Sequence, residues 1–322
     1  MKIRLGFVAM SIHLKNASPS QTMTVTNFEK IIDREAALRK LTNTAAKNLQ
    51  NSLRVMRHAH AHGLHLYRFT SKLVPLLGHA HTAEWDFWTK LKPEFEEVGD
   101  FIKKAQMRVS FHPDHFTLLN SAKKEVLDNS IADLDRHTTM FELMGLDETA
   151  KLNIHVGGSY KDKAESLNRF RDHWQLVPER IRRRITLEND DKTYTALETL
   201  TLCEELGIPM VLDIHHHRCN PGEEDLRDLT SRIFKTWDGT GLVPKIHISS
   251  PKSPEAMLHH ADYIEPGDLL PFLDLVRETT NTDLDIMVEA KQKDDAAMRL
   301  AKDLAALDDV TSIDEGSFTY KD

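Results

Sequence analysis

The chain has 322 residues, of which 40% are apolar and 29% charged, with 13 glycines and 12 prolines; this ordinary globular balance excludes the disordered, collagen-like and coiled-coil classes. Its formal charge is −8, from 42 Lys and Arg against 50 Asp and Glu, which excludes a globally basic nucleic-acid binder, and no apolar run approaches the length of a membrane span. Cys203 and Cys219 form neither a CxxC pair nor a disulfide framework, so a reducing, cytoplasmic setting is expected.

Eight strand patterns follow in chain order as short apolar or β-branched runs: KIRLGFVA (2–9), LHLYRFTS (64–71), MRVSFHP (107–113), KLNIHVGG (151–158), RITLEND (184–190), PMVLDIHH (209–216), VPKIHISS (243–250) and DIMVEAK (285–291). Helical patterns lie between them. Ala45, Leu49, Leu53 and Met56 share one face before Gly63, Ile131, Leu134, Phe141 and Met144 another before Gly145, and Leu197, Leu200 and Leu206 a third before Gly207. The stretch from Met10 to Gly63 reads as one helix preceded by an extended loop over the barrel mouth, including Asn16–Pro19; the tail after Asp308 is left open. Strand-helix alternation requires a parallel sheet, because the crossovers are helical. Eight such units predict a closed (β/α)8 TIM barrel, with a doubly wound sheet as the runner-up. No linker composition interrupts the chain, so residues 1–322 are expected to form a single domain.

In a barrel the βα loops open at one face, and function collects at the carboxyl ends of the strands. Those ends carry His79 shortly after the second strand, His112 at the third, His155 at the fourth and Glu188 at the fifth. Asp213 with His215, His216 and His217 closes the sixth, Lys245 and His247 sit on the seventh, and Glu289 on the eighth. Histidine, at 18 residues, is the excess that draws attention to them. Taken singly, each reads as a core or rim histidine or as a helix-capping acid. Together they do not, since unpaired acids packed close repel one another and lose solvation. Bound cations resolve the conflict.

Mixed carboxylate and imidazole donors, with cysteine absent, suit Zn²⁺, Mn²⁺ or Fe²⁺ better than Ca²⁺, and their number exceeds what one tetrahedral ion needs. A two- or three-metal cluster follows, with Glu188 as the expected bridge. Such clusters typically hydrolyse phosphoesters, lowering the pKa of bound water and stabilising the leaving oxygen. Three divalent ions would bring about +6 against the formal −8, making the mouth locally positive for a polyanion. Lys245 lies two residues before His247 and faces the same side. An ammonium beside cations is unfavourable, so Lys245 is expected to be neutral, carbamylated into a ligand or turned toward substrate phosphate; the alternative is a snorkelling lysine.

With these residues the sequence resembles the ultraviolet damage endonuclease family, metal-dependent TIM-barrel DNA-repair nucleases related in fold to endonuclease IV. The resemblance covers nearly the whole chain and rests on IRLGF, LYRFTSKLVPLLGH, SFHPDHF, NIHVGG, TLENDDKTY, VLDIHHH, PKIHISSPKS with HHADY, and IMVEAKQKD. It implies His79, His112, His155, Glu188, Asp213, His216, His247, His260 and Glu289 as metal ligands, His216 being preferred to His215 and His217 by its place three after Asp213. It implies two or three divalent ions, Mn²⁺ foremost, with Zn²⁺, Fe²⁺ or Mg²⁺ as alternatives, and Glu188, Glu289 and Lys245 as catalytic residues. Family members commonly probe the lesion with a Gln-Tyr or Gln-Phe pair after His-Pro. Here that pair is His115-Phe116, a titratable ring in place of an amide, and Phe7 stands where another aromatic contact is expected.

The activity implied is incision of the phosphodiester immediately 5′ to a photoproduct or other distorting lesion, leaving a 3′-hydroxyl, with damaged double-stranded DNA as the partner. Neither a membrane nor an obligatory protein partner is expected. Competing readings are a nuclease confined to abasic sites and a metal-dependent sugar isomerase or epimerase on the same barrel. A non-cutting distortion sensor leaves the converging acids without a purpose.

Overall fold

The structure, a computed structural model, describes residues 1–321. Eight parallel strands alternate with helices: β1 (Lys2–Val8), β2 (Leu66–Phe69), β3 (Arg108–Phe111), β4 (Lys151–His155), β5 (Ile185–Glu188), β6 (Met210–Asp213), β7 (Lys245–Ile248) and β8 (Leu284–Val288). Neighbours pair in sequence order, and β1 pairs both β8 and β2, so the sheet closes. This is the (β/α)8 barrel that the alternation predicts, and closure rules out the doubly wound sheet, which is open. Every residue of β5, β6 and β7 is buried, as strands covered on both faces must be. At the closing seam Gly6 is obligatory: a Cβ there would lie 2.3 Å from Leu66 Cβ on the facing strand.

The helices begin and stop for local reasons. Arg34–Ala61 is capped by the Asp33 carboxylate, which accepts from the Glu35 and Ala36 amides, and it buries Ala45, Leu49, Leu53 and Met56 as predicted. Ala196–Leu206 opens with a capping box of Thr195 and Glu198 and closes on Gly207, whose φ of +66° suits a residue without a Cβ.

Two expectations are corrected. The stretch from Met10 to Gly63 holds a second, short helix, Val25–Glu29. Its loop is tied both to the flank of the long helix, where Arg54 and Asn51 donate to the Asn16 and Ser18 carbonyls and Asn48 brackets Gln21, and to the strand-end segments, where Ser20 donates to Thr70 after β2 and the Ile12 amide to Asp294 after β8. The sixth strand ends at Asp213, not His216, because the Asp213 side chain accepts the His216 amide at 2.7 Å and starts the helix Ile214–Cys219.

The tail left open by the sequence is ordered. β9 (Val310–Asp314) and β10 (Ser317–Tyr320) form a hairpin, and β10 pairs antiparallel with Lys2–Arg4 of β1, below the point where β2 takes over at Gly6. Among the described residues no helix is long and apolar enough to cross a membrane.

Candidate metal centre

The strand ends bring the predicted side chains into contact around Glu188, which closes β5 and is 1% exposed. Its Oε1 lies 3.2 Å from His247 Nδ1 and 3.4 Å from His216 Nδ1, and its Oε2 lies 3.4 Å from His112 Nε2. Asn153, two residues before His155 on β4, donates to Oε2. Glu289, the residue after β8, stands 3.1 Å from the same His247 nitrogen. The donors form three overlapping groups: His112, His155 and Glu188; Glu188, Asp213 and His216; Asp213, His247 and Glu289, each with its ligand atoms within 4.8 Å of one another. Glu188 belongs to the first two groups and Asp213 to the last two.

Several of these buried atoms have no hydrogen-bond partner: Asp213 Oδ2, His155 Nδ1 and both nitrogens of His247. The close His247 approaches to Glu188 and Glu289 therefore lack hydrogen-bond geometry. Two ligands about 2.1 Å from one ion at tetrahedral angles stand about 3.4 Å apart, which is the spacing seen here. Unpartnered, fully buried carboxylate and imidazole atoms at ligand separation fit divalent metal ions.

The electrostatics agree. Burial opposes ionisation of Glu188, yet His247, His155, His112 and His216 hold its carboxyl well below the usual carboxylate range. Glu289 is held low against burial by Arg68 and His247. Burial opposes charge on His216, but Asp213 and Glu188 push its pKa up to about 11. The acids thus demand positive charge, and without metal His216 and His247 supply it as protons, both being raised against burial by the neighbouring carboxylates.

Other predicted residues fall elsewhere. His79 is half-buried in the loop after β2, where it accepts from the His81 amide, and His260 bridges to Pro251 and stands edge-on to His215; neither joins the three donor groups. His215 is buried, its Nε2 2.7 Å from the Met257 carbonyl oxygen, while His216 turns toward Glu188. Lys245 does not snorkel. It is 2% exposed, its Nζ lies 3.4 Å from Ser110 Oγ, and burial with the nearby Arg108 and Arg68 lowers its pKa to about 7.

Phe116 is 71% exposed, with its ring centroid 4.0 Å from that of the exposed His115, which leans on Asp114. Phe7 is a correction: it is fully buried, edge-on to Tyr67, and has no surface to offer DNA. The side chain on β1 that would have to reach the mouth is consumed by the core. Two residues escaped the sequence reading. Asn153 orients Glu188, and Arg68 on β2 pairs with Glu289. A cation inside the run LYRF, where every neighbour is apolar or aromatic, was the available signal.

A family model described as UV-endonuclease UvdE matches residues 3–321. The chain belongs to the UV-endonuclease family. Among the relatives of this UV-endonuclease family member, a UV DNA damage endonuclease of Bacillus velezensis is 44% identical over 322 residues, covering all of both chains. Another from Bacillus pumilus is 42% identical over the same span. The crystal structure of SacUVDE superposes with a TM-score of 0.81 at 30% identity, covering 95% of this chain and 100% of that one. Endonuclease IV from Thermus thermophilus, at 15% identity and a TM-score of 0.52 over 93% of this chain and 98% of its own, shares the fold.

Proposed function

We propose that this UV-endonuclease family member cuts damaged duplex DNA at the phosphodiester immediately 5′ to UV photoproducts and other distorting lesions, leaving a 3′-hydroxyl. The observation that carries the reading is the set of three overlapping donor groups at the barrel mouth, in a chain matched from end to end by UV endonucleases.

Two or three divalent ions, Mn²⁺ foremost, would be held by His112, His155, Glu188, Asp213, His216, His247 and Glu289, with Glu188 shared between ions. The family resemblance adds His79 and His260, from loops after β2 and β7, as further ligands. When bound, such ions supply Lewis-acid stabilisation of phosphate oxygens and a lowered pKa for water. The chain's own residues do the rest. Asn153 fixes the Glu188 carboxylate by donating to Oε2, as a partner behind a ligand does. Lys245, buried with a pKa near 7, can hold or release a proton at Nζ, or carry a carbamate there. Phe116 projects from the β3 loop as a wedge for a base step, and His115 beside it replaces the amide of the usual probing pair. A lesion that already weakens stacking is cheaper to draw out of the duplex, which gives selectivity without reading sequence.

The test is a nicking assay on duplexes carrying one pyrimidine dimer, one abasic site or no lesion, with and without Mn²⁺, with the cut mapped to the nucleotide. Manganese-dependent incision directly 5′ to the dimer is expected. Cutting at the abasic site alone would replace the reading with abasic-site repair, and no incision on any duplex would end it.

A further inference from the structure

Arg68 is the one arginine among the described residues that ion-pairs with a member of the three donor groups. Its Nη1 donates to Glu289 Oε1, and the two side chains are only 12% and 14% exposed, so water screens the pair little. The arginine is pinned at the site by its backbone. Its carbonyl accepts the Ala9 amide at 2.9 Å, and its backbone is in register with Val8 on one side and Ser110 on the other. Its side chain lines the mouth cavity of about 420 Å³ together with Thr70, Ser71, His112, Glu188 and His216.

Two demands meet at one oxygen. Glu289 groups with Asp213 and His247 at ligand separation, and its Oε1, 3.1 Å from His247 Nδ1, is the oxygen that the guanidinium now occupies. A guanidinium keeps its charge at any physiological pH, so it cannot yield by losing a proton. It can only turn away. Inside a cavity that has gained divalent charge, a displaced guanidinium is repelled by the ions and needs another anion, and the anion that the proposed reaction brings to this mouth is a backbone phosphate. Guanidinium and phosphate match in geometry as well as in charge.

We propose that Arg68 is a displaceable counter-ion: it holds Glu289 in the metal-free protein, gives up that carboxylate when metal binds, and then grips the scissile phosphate. This inference rests on the endonuclease reading for its second half only. It makes Arg68 a phosphate-binding residue, and it predicts effects of opposite sign on two ligands, which a merely structural arginine would not produce.

The experiment compares the wild-type chain with Arg68→Gln and Arg68→Lys. Mn²⁺ binding is titrated without DNA. Binding of a dimer-containing duplex is then measured in Mn²⁺ by anisotropy, with the scissile linkage made either as a charged, cleavage-resistant phosphorothioate or as a neutral methylphosphonate. Arg68→Gln should bind Mn²⁺ several-fold tighter, since a competitor and a repelling charge are gone, and the charged duplex about tenfold weaker. On the methylphosphonate duplex the same variant should lose little, because the charge that Arg68 contacts is already missing. Arg68→Lys should restore duplex binding in large part. Unchanged or weaker Mn²⁺ binding by Arg68→Gln overturns the displacement. Additive losses from Arg68→Gln and the methylphosphonate overturn the phosphate contact. If the wild-type protein ignores the dimer duplex altogether, the endonuclease reading falls and takes the phosphate half with it, while tighter Mn²⁺ binding would still uphold the displacement.

Discussion

His247 Nδ1 lies 3.2 Å from Glu188 Oε1 with both residues fully enclosed, and yet no hydrogen bond closes between them. The pair is set at the spacing of two ligands on one ion and not at the alignment of a donor and an acceptor. Removing the carboxylate charge should therefore damage metal binding before it damages folding. Glu188→Gln is expected to lower the Mn²⁺ content of the purified protein and to cut incision by more than about 100-fold, the upper end for loss of a mere ligand-orienting partner. Incision at the wild-type rate with a full metal complement would show that Glu188 is no ligand.

The metal-free protein should respond to pH through His216. Its folded pKa, pushed up to about 11, lies above the ordinary 6.5. Its contribution to stability is thus complete below about pH 6.5 and is lost as the pH rises through about 11. Melting temperature after chelation should fall between about pH 7 and 10, and Mn²⁺, taking the place of the proton, should flatten that decline and release protons on binding. A chelated protein that grows more stable over the same window would contradict the assignment.

Phe116 and Phe7 separate surface from core. Phe116→Ala should leave the melting temperature unchanged, since the ring is mostly in solvent, and should weaken binding to the dimer duplex by about 1–3 kcal/mol if it stacks on a base. Equal affinity of the wild-type chain and the variant for that duplex would remove Phe116 from recognition.

Phe7→Ala should do the reverse. The ring is fully buried against Tyr67, and truncation of such a side chain costs about 3–5 kcal/mol in urea unfolding. Little loss of stability would mean that the ring is not part of the core.

Lys245→Met tests the buried amine. Replacing a buried, poorly paired ammonium by an apolar chain of similar size is neutral or stabilising, so the melting temperature should hold or rise while incision is lost. Retained incision would reduce Lys245 to packing.

The barrel was legible because its signals are local and repeated: apolar runs such as PMVLDIHH, and the helix stops at Gly63, Gly145 and Gly207, each with positive φ. The ends of the elements were not legible, because they depend on which side chain captures a free amide. Asp213 ends β6 by capping the helix that follows, and this turns His216, three residues on, toward Glu188. Phe7 illustrates the opposite failure. A position in a motif says nothing about whether a ring turns inward, and here Tyr67 receives it. Arg68 and Asn153 were passed over because their importance lies in contacts to Glu289 and Glu188, each more than thirty positions away in the chain.

The hairpin pairing at the base of the barrel has a consequence for how the chain reaches its folded state. The opening residues of β1 wait for β10, with the Met1 and Tyr320 backbones exchanging bonds of 3.0 Å across 319 positions of chain. That pairing is a contact of high order that forms late in folding, and removing the β9–β10 hairpin would leave the Lys2–Arg4 edge of β1 unsheltered and open to aggregation.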